Sequence, residues 1–176
     1  MLRWTFEELV LPHVDAAFNY ARWLTRSDAD AEDLVQDACL RALRFFSTPR
    51  RPHARAWLLT IVRHVWYDRS SHHAGAALVL VKDDRVDECP DRRLNPEALV
   101  IQRQYIESVR RALEDLPTDF REVLVLREIE GLTYKEIAAA IGIPVGTVMS
   151  RLARGRDRLL ATLVLDARLA ARNRVS

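Results

Sequence analysis

GLTYKEIAAAIGIPVGTVMSRLARGRDRL, residues 131–159, reads as two helices joined by a tight turn. Thr133 is placed to cap the first helix, Glu136 three residues later completes a capping box, and Ile137, Ala138 and Ile141 form its apolar face. Gly142 breaks that helix, and Pro144 suits the first position of the next, where a missing N–H costs nothing. In the second helix Val148, Leu152 and Leu159 recur at helical spacing, leaving Thr147, Ser150, Arg151, Arg154 and Arg158 on or near the other side. A helix fits the DNA major groove, arginines fork onto guanine edges or phosphates, and short hydroxyls permit close approach. A plain hairpin with a solvated basic side would carry the same charges. The coincidence of cap, turn glycine, proline and basic face in one register favours DNA reading.

Working outward, 176 residues with 49% hydrophobic content suffice for one domain or two small ones with packed cores. The formal net charge is only +2, so affinity for a polyanion has to come from local clustering. Acidic residues crowd Asp28 to Asp37 and Asp83 to Asp91, whereas from Val145 onward the charged residues are arginines apart from Asp157 and Asp166. Cys39 and Cys89 have no CxxC or Cys/His spacing around them, which argues against a zinc site or a disulfide framework and for a reducing compartment. Cys39, among apolar neighbours at helical spacing, reads as a small core or interface residue. His72 and His73 are adjacent, unlike helical metal ligands, so no metal is expected. No run approaches the ~20 apolar residues of a membrane span, and Glu7 and Glu8 stand where a signal peptide would be basic and then apolar. The expected location is the cytoplasm, without membrane insertion.

Taken in order, residues 5–26 form an amphipathic helical region gently interrupted by Pro12. Ser27 and Asp28 cap a second helix, AEDLVQDACLRALRFF, with Ala31, Leu34, Val35, Ala38, Ala42 and Phe45 on one face and Glu32, Asp33, Gln36, Asp37 and Arg41 left for solvent or a partner. Ser47 to Arg55 is a positive, proline-broken loop. A helix from Ala56 to about Arg69 follows, with Trp57, Leu58, Ile61, Val62 and Val65 as its buried stripe. Its polar side carries Arg63, His64, Tyr67, Asp68 and Arg69. Basic residues interleaved with Trp66 and Tyr67 suit single-stranded nucleic acid, where rings stack on bases and arginines meet phosphates; packing into the core is the competing use of both rings.

Residues 71–96 read as a linker whose apolar run Ala76 to Val81 fits a helix extension, a short strand or a segment lying on either domain. From Glu97 a second helical domain begins, with Ala98, Ile101, Tyr105, Ile106, Val109, Ala112, Leu113 and Leu116 three and four apart, up to Pro117. A helix from Asp119 to Glu130 leads into Gly131 as its C-cap. The expected architecture is all-α: two small helical domains at 1–70 and 97–168, joined by the linker, the second containing the helix-turn-helix, with a basic tail at 169–176.

These motifs together resemble the extracytoplasmic-function group of bacterial sigma factors, over most of the chain. DAEDLVQDACLRAL at 30–43 is similar to the helix that docks on core RNA polymerase, RAWLLTIVRHVWYDR at 55–69 to the promoter −10 segment, and residues 116–159 to the −35-reading domain. The resemblance implies that Asp33, Gln36, Asp37 and Arg41 meet the clamp helices of the largest polymerase subunit. It places His64, Asp68 and the 47–55 loop, with the Arg63, Trp66 and Arg69 side of the same helix, at the −10 strand. It places Thr147, Ser150, Arg151 and Arg154 in the −35 groove, flanked by Arg158, with Thr133 and Lys135 on phosphates. The linker is expected to thread toward the polymerase cleft. An anti-sigma protein is a further implied partner, and no cofactor or catalytic group is. Two residues depart from the group: His64 stands where many relatives carry asparagine, and Met149 where a basic residue is common. The rival readings are a sigma-like decoy that sequesters an anti-sigma protein without touching DNA, and a repressor or activator acting without polymerase, which leaves the DAEDLVQ helix without a role. An enzyme lacks any recognisable nucleophile, metal cluster or phosphate loop.

Overall fold

Side-chain caps written into the sequence start the helices. In a computed structural model, which describes residues 5–46, 53–72 and 96–173, the Thr5 hydroxyl accepts from the Glu8 amide while the Glu8 carboxylate accepts from the Thr5 amide, opening α1 (Phe6–Leu9). The region expected as one gently interrupted helix is three pieces: α1, a 3-10 turn at Leu11–His13, and α2 (Val14–Thr25). Pro12 sits inside that turn, where its missing N–H and fixed φ stop the α-helical ladder. Ser27 caps α3 (Asp28–Arg44), and α4 (Ala54–His72) begins and ends slightly beyond the expected bounds. The 47–52 part of the basic loop, the Ala76–Val81 run and Cys89 lie outside the described residues.

After the linker come α5 (Pro96–Glu114), α6 (Thr118–Leu124), a π-helical segment at Val125–Ile129, α7 (Tyr134–Ile141) and α8 (Val145–Asn173). The π-helical segment replaces the second half of what the sequence reads as one α-helix. The Glu130 amide donates to the Val125 carbonyl at 3.0 Å, one residue farther back than in an α-turn. That extra residue rotates everything after it. Ile129, expected in the core, is 45% exposed, and Glu130 turns inward to 2% exposure.

Two compact units result, each drawn from separated stretches. One holds α1 to α4, the π-helical segment, α7 and the first turn of α8; the other holds α5, α6 and α8 from Met149 onward. In the first, α2, α3 and α4 pack on one another around Tyr20, Leu34, Leu58, Leu59 and Val62, with Ile137 of α7 buried as well. In the second, Ala112, Leu113 and Leu116 close the end of α5, and Arg121 donates to the Glu114 carbonyl at 2.8 Å, satisfying a helix end that has no partner of its own. The front of α5 departs from expectation. Val100, Ile101, Tyr105 and Ile106 are exposed, so its apolar periodicity is real but is not used for burial among the described residues. Among those residues no single helix is long and apolar enough to cross a membrane.

Candidate nucleic-acid interface

The helix-turn-helix forms as its local chemistry dictates. The Thr133 hydroxyl accepts from the Glu136 amide and the Glu136 carboxylate accepts from the Thr133 amide at 2.8 Å, a complete capping box. Gly142 takes a left-handed φ of 72° as α7 ends, and the Ile143 amide returns to the Ala138 carbonyl at 3.1 Å. Pro144 stands one position earlier than expected. Its carbonyl accepts from Val148 at 3.1 Å, which makes it the N-cap of α8 and leaves Val145 as the first helical residue.

On α8, Val148, Leu152 and Gly155 are buried and Leu159 half-buried, so this stripe faces the protein. Thr147, Ser150 and Arg154 lie on the other side. Arg154 is exposed and folds its guanidinium back on Ser150, with Nε 3.3 Å from the carbonyl and Nη2 3.4 Å from Oγ. The arginines at the flank are held by α6: Arg151 Nη2 meets Asp119 Oδ2 at 2.8 Å, and Arg158 lies over the Phe120 ring, 4.6 Å from its centroid. Gly155 sits between those two grips because a side chain would not fit. A Cβ there would come within 3.0 Å of Leu124 Cδ1 and 3.4 Å of Phe120 Cβ. Met149 is 53% exposed on α8. Thr133 is committed to its cap, while Lys135 is exposed.

The first unit carries a second charged face. Asp33, Gln36, Asp37 and Arg41 are exposed along α3; on α4, His64, Tyr67 and Asp68 are exposed, and Arg63, Trp66 and Arg69 partly so. The two helices exchange charges reciprocally. Arg41 Nη1 donates to Asp68 Oδ2 at 2.7 Å, and Arg69 pairs with Asp37 and donates to the Asp33 carbonyl at 3.2 Å. Each pair joins a residue singled out for polymerase docking to one singled out for the −10 strand. Arg63 stacks on Tyr67, 4.4 Å from the ring centroid, and Trp57 is half-buried where full burial was expected.

Neither Glu130 nor its partner Arg55 stands out in the sequence, yet they form the most buried ion pair of the first unit, 2.6 Å from Nη2 to Oε2. Burial pushes the Glu130 carboxyl above its ordinary value, and Arg55 opposes that rise. Beside it, His53 Nδ1 and Glu136 Oε1 lie 2.8 Å apart. The bond from the Thr133 amide does most to hold Glu136 below the ordinary carboxylate range; burial opposes it, and the Thr133 hydroxyl and His53 add to the lowering. These two pairs fasten the start of α4 to the π-helical segment and α7.

Comparison with known proteins adds the following. A family model described as "Sigma-70 region 2" matches residues 9–74, and one described as "Sigma-70, region 4" matches residues 106–159. The "ECF RNA polymerase sigma factor SigE" of Mycolicibacterium smegmatis is 33% identical over 155 residues, covering 88% of this chain and 60% of that protein. The "ECF RNA polymerase sigma factor SigC" of Mycobacterium tuberculosis is 39% identical over 140 residues, covering 74% of this chain and 69% of that protein. Among solved structures, the sigma factor RpoE of Bartonella quintana, in complex with the anti-sigma factor NepR, aligns over 92% of this chain and 98% of its own with a TM-score of 0.69 and 27% identity.

Proposed function

The chain belongs to the extracytoplasmic-function group of the sigma-70 family of RNA polymerase sigma factors, and from that membership we propose that it binds core RNA polymerase and directs it to promoters with a −35 and a −10 element. It carries out no chemistry; the polymerase does. In this reading residues 1–70 serve polymerase docking and the −10 strand, residues 97–168 the −35 duplex, and 71–96 connect them. Asp33, Gln36, Asp37 and Arg41 meet the clamp helices of the largest subunit. Thr147, Ser150, Arg151 and Arg154 enter the −35 major groove with Arg158 at its edge, and Thr133 and Lys135 address phosphates. Arg63, His64, Trp66, Asp68 and Arg69 hold the −10 strand. An anti-sigma protein is the proposed regulator, since the Bartonella relative was solved with one. The proposed location, following from these partners, is the cytoplasm.

The observation that carries the reading is the division of α8, with Val148 and Leu152 buried and Ser150 and Arg154 presented on the opposite side. The energetics are of the right size. Unstacking DNA costs about 1.4 kcal/mol per step, and stacking a base on an aromatic ring returns roughly 1–3 kcal/mol. Exposed Tyr67, backed by Arg63, is the better placed ring for that stacking. Two small surfaces gain further by being held on one polymerase, where the second contact becomes intramolecular. Run-off transcription with purified core polymerase over a genomic promoter library tests the proposal. Promoter-specific transcripts dependent on this chain support it, and core binding without transcripts from any fragment would favour the decoy.

A further inference from the structure

We infer that Asp119, a residue on the first turn of α6, is the positioning residue that makes Arg151 a reader of sequence. The inference rests on the reading of α8 as the −35 helix. Asp119 is 61% exposed on its side chain and pairs at 2.8 Å with an Arg151 whose side chain is 24% exposed. Beside a polyanion an exposed carboxylate is repelled, so by itself it lowers affinity. Its position beside a DNA-facing arginine is explained by what it does to that arginine.

A guanidinium is planar, with its donors in a rigid fork. Held by Asp119 at one nitrogen, its plane and reach are set, and the remaining donors keep a fixed direction. Without the carboxylate the long side chain is at liberty to swing to phosphate oxygens, which are present at every step and carry no sequence information. The carboxylate thus exchanges general affinity for discrimination. The backbone beneath the pair is fixed as well, because Gly155 packs against Leu124 and Phe120, and Arg158 lies over the Phe120 ring. Three neighbouring points on α8 are therefore set by one short helix. Arg154, which folds back on Ser150 of its own helix, has no such external tether among the contacts described.

Affinity and specificity consequently move in opposite directions when Asp119 is removed, a result that simple loss of structure does not produce. The test uses holoenzyme reconstituted with wild type, Asp119→Asn, Asp119→Glu and Arg151→Ala chains, bound to a randomised −35 duplex library at several salt concentrations. For Asp119→Asn we expect discrimination at one −35 base pair to fall about tenfold, the scale of one degraded bidentate contact. Binding to mismatched duplexes rises, and the slope of log affinity against log salt steepens by about one counterion. Asp119→Glu, which keeps the charge, retains most of the wild-type profile. A wild-type profile and slope for Asp119→Asn, alongside a flattened profile for Arg151→Ala, would overturn the role of Asp119 and leave the −35 reading standing. If Arg151→Ala also leaves the profile unchanged, both the assignment of Arg151 and the role of Asp119 fall.

Discussion

Arg55 and Glu130, 75 residues apart, meet at 2.6 Å with Glu130 almost wholly buried, while Arg55 Nε and Glu130 Oε1 have no hydrogen-bond partner. A buried pair with orphaned atoms is sensitive to the loss of either half. Because the Arg55 side chain is 40% exposed, the expected cost of Glu130→Ala is about 1–3 kcal/mol, below that of a fully buried pair. Replacing both, as Arg55→Met with Glu130→Leu, should cost less than Glu130→Ala alone. Urea midpoints for the three variants check this, and a double variant at least as unstable as the single one contradicts it.

The two carboxylates in this corner titrate with opposite consequences. Glu136 is lowered in the folded state, so its contribution is complete above the ordinary carboxyl value of about 4.3 and is lost as pH falls through the lowered value. Glu130 is raised, so its contribution is complete below the ordinary value and is lost as pH rises through the raised one. Glu136→Gln should therefore flatten the acid limb of the stability curve. Glu130→Gln should remove a decline in stability on the way toward neutral pH. Urea midpoints measured across the acid range separate the two limbs, and identical curves for both variants and wild type would contradict the assignment.

Gly155 is a packing residue. Gly155→Ala gains helix propensity of about 1 kcal/mol but sets its Cβ 3.0 Å from Leu124, so the two effects should nearly cancel. Gly155→Val has no such offset and should cost about 1–3 kcal/mol through overpacking. Equal midpoints for the valine and wild-type proteins would show that α6 yields more easily than its buried Leu124 implies.

Asp37→Arg reverses a charge that pairs with Arg69 at an exposed site. Surface pairs of this kind are worth about 0–1 kcal/mol, so the fold should survive with unchanged helicity. Core polymerase binding should be lost, whereas Asp68→Asn, which breaks the neighbouring pair with Arg41, should keep it and weaken only −10 strand capture. Pull-down with purified core decides the point; retention of Asp37→Arg would sink the docking assignment.

What was legible in the sequence was local. The Thr133–Glu136 box, the Ser27 cap and the Gly142 turn each depend on residues within a few positions, and the structure forms all three. The buried stripe of α8 was legible for the same reason, since helical spacing alone selects Val148 and Leu152. The errors are nonlocal. No periodicity announces that the ladder widens at Val125, so Ile129 was placed inside and Glu130 was missed. The apolar front of α5 has the right spacing, but spacing does not reveal whether a partner surface is present. The ties of Arg151 to Asp119 and Arg158 to Phe120 bridge separate helices, and only Gly155, isolated between arginines, hinted that something approaches α8 there.

A π-helical turn is one residue longer than the α-turn it replaces, which makes the segment at Val125–Ile129 a place where chain length itself is read. Deleting a single residue there would restore the ordinary ladder and rotate Glu130 by about 100° relative to the helix before it. The carboxylate would leave Arg55, and Ile129 would change sides with it. Sequence alignments through this stretch that shift by one position therefore pair residues of opposite orientation, and a gap there marks a change in the interior of the protein.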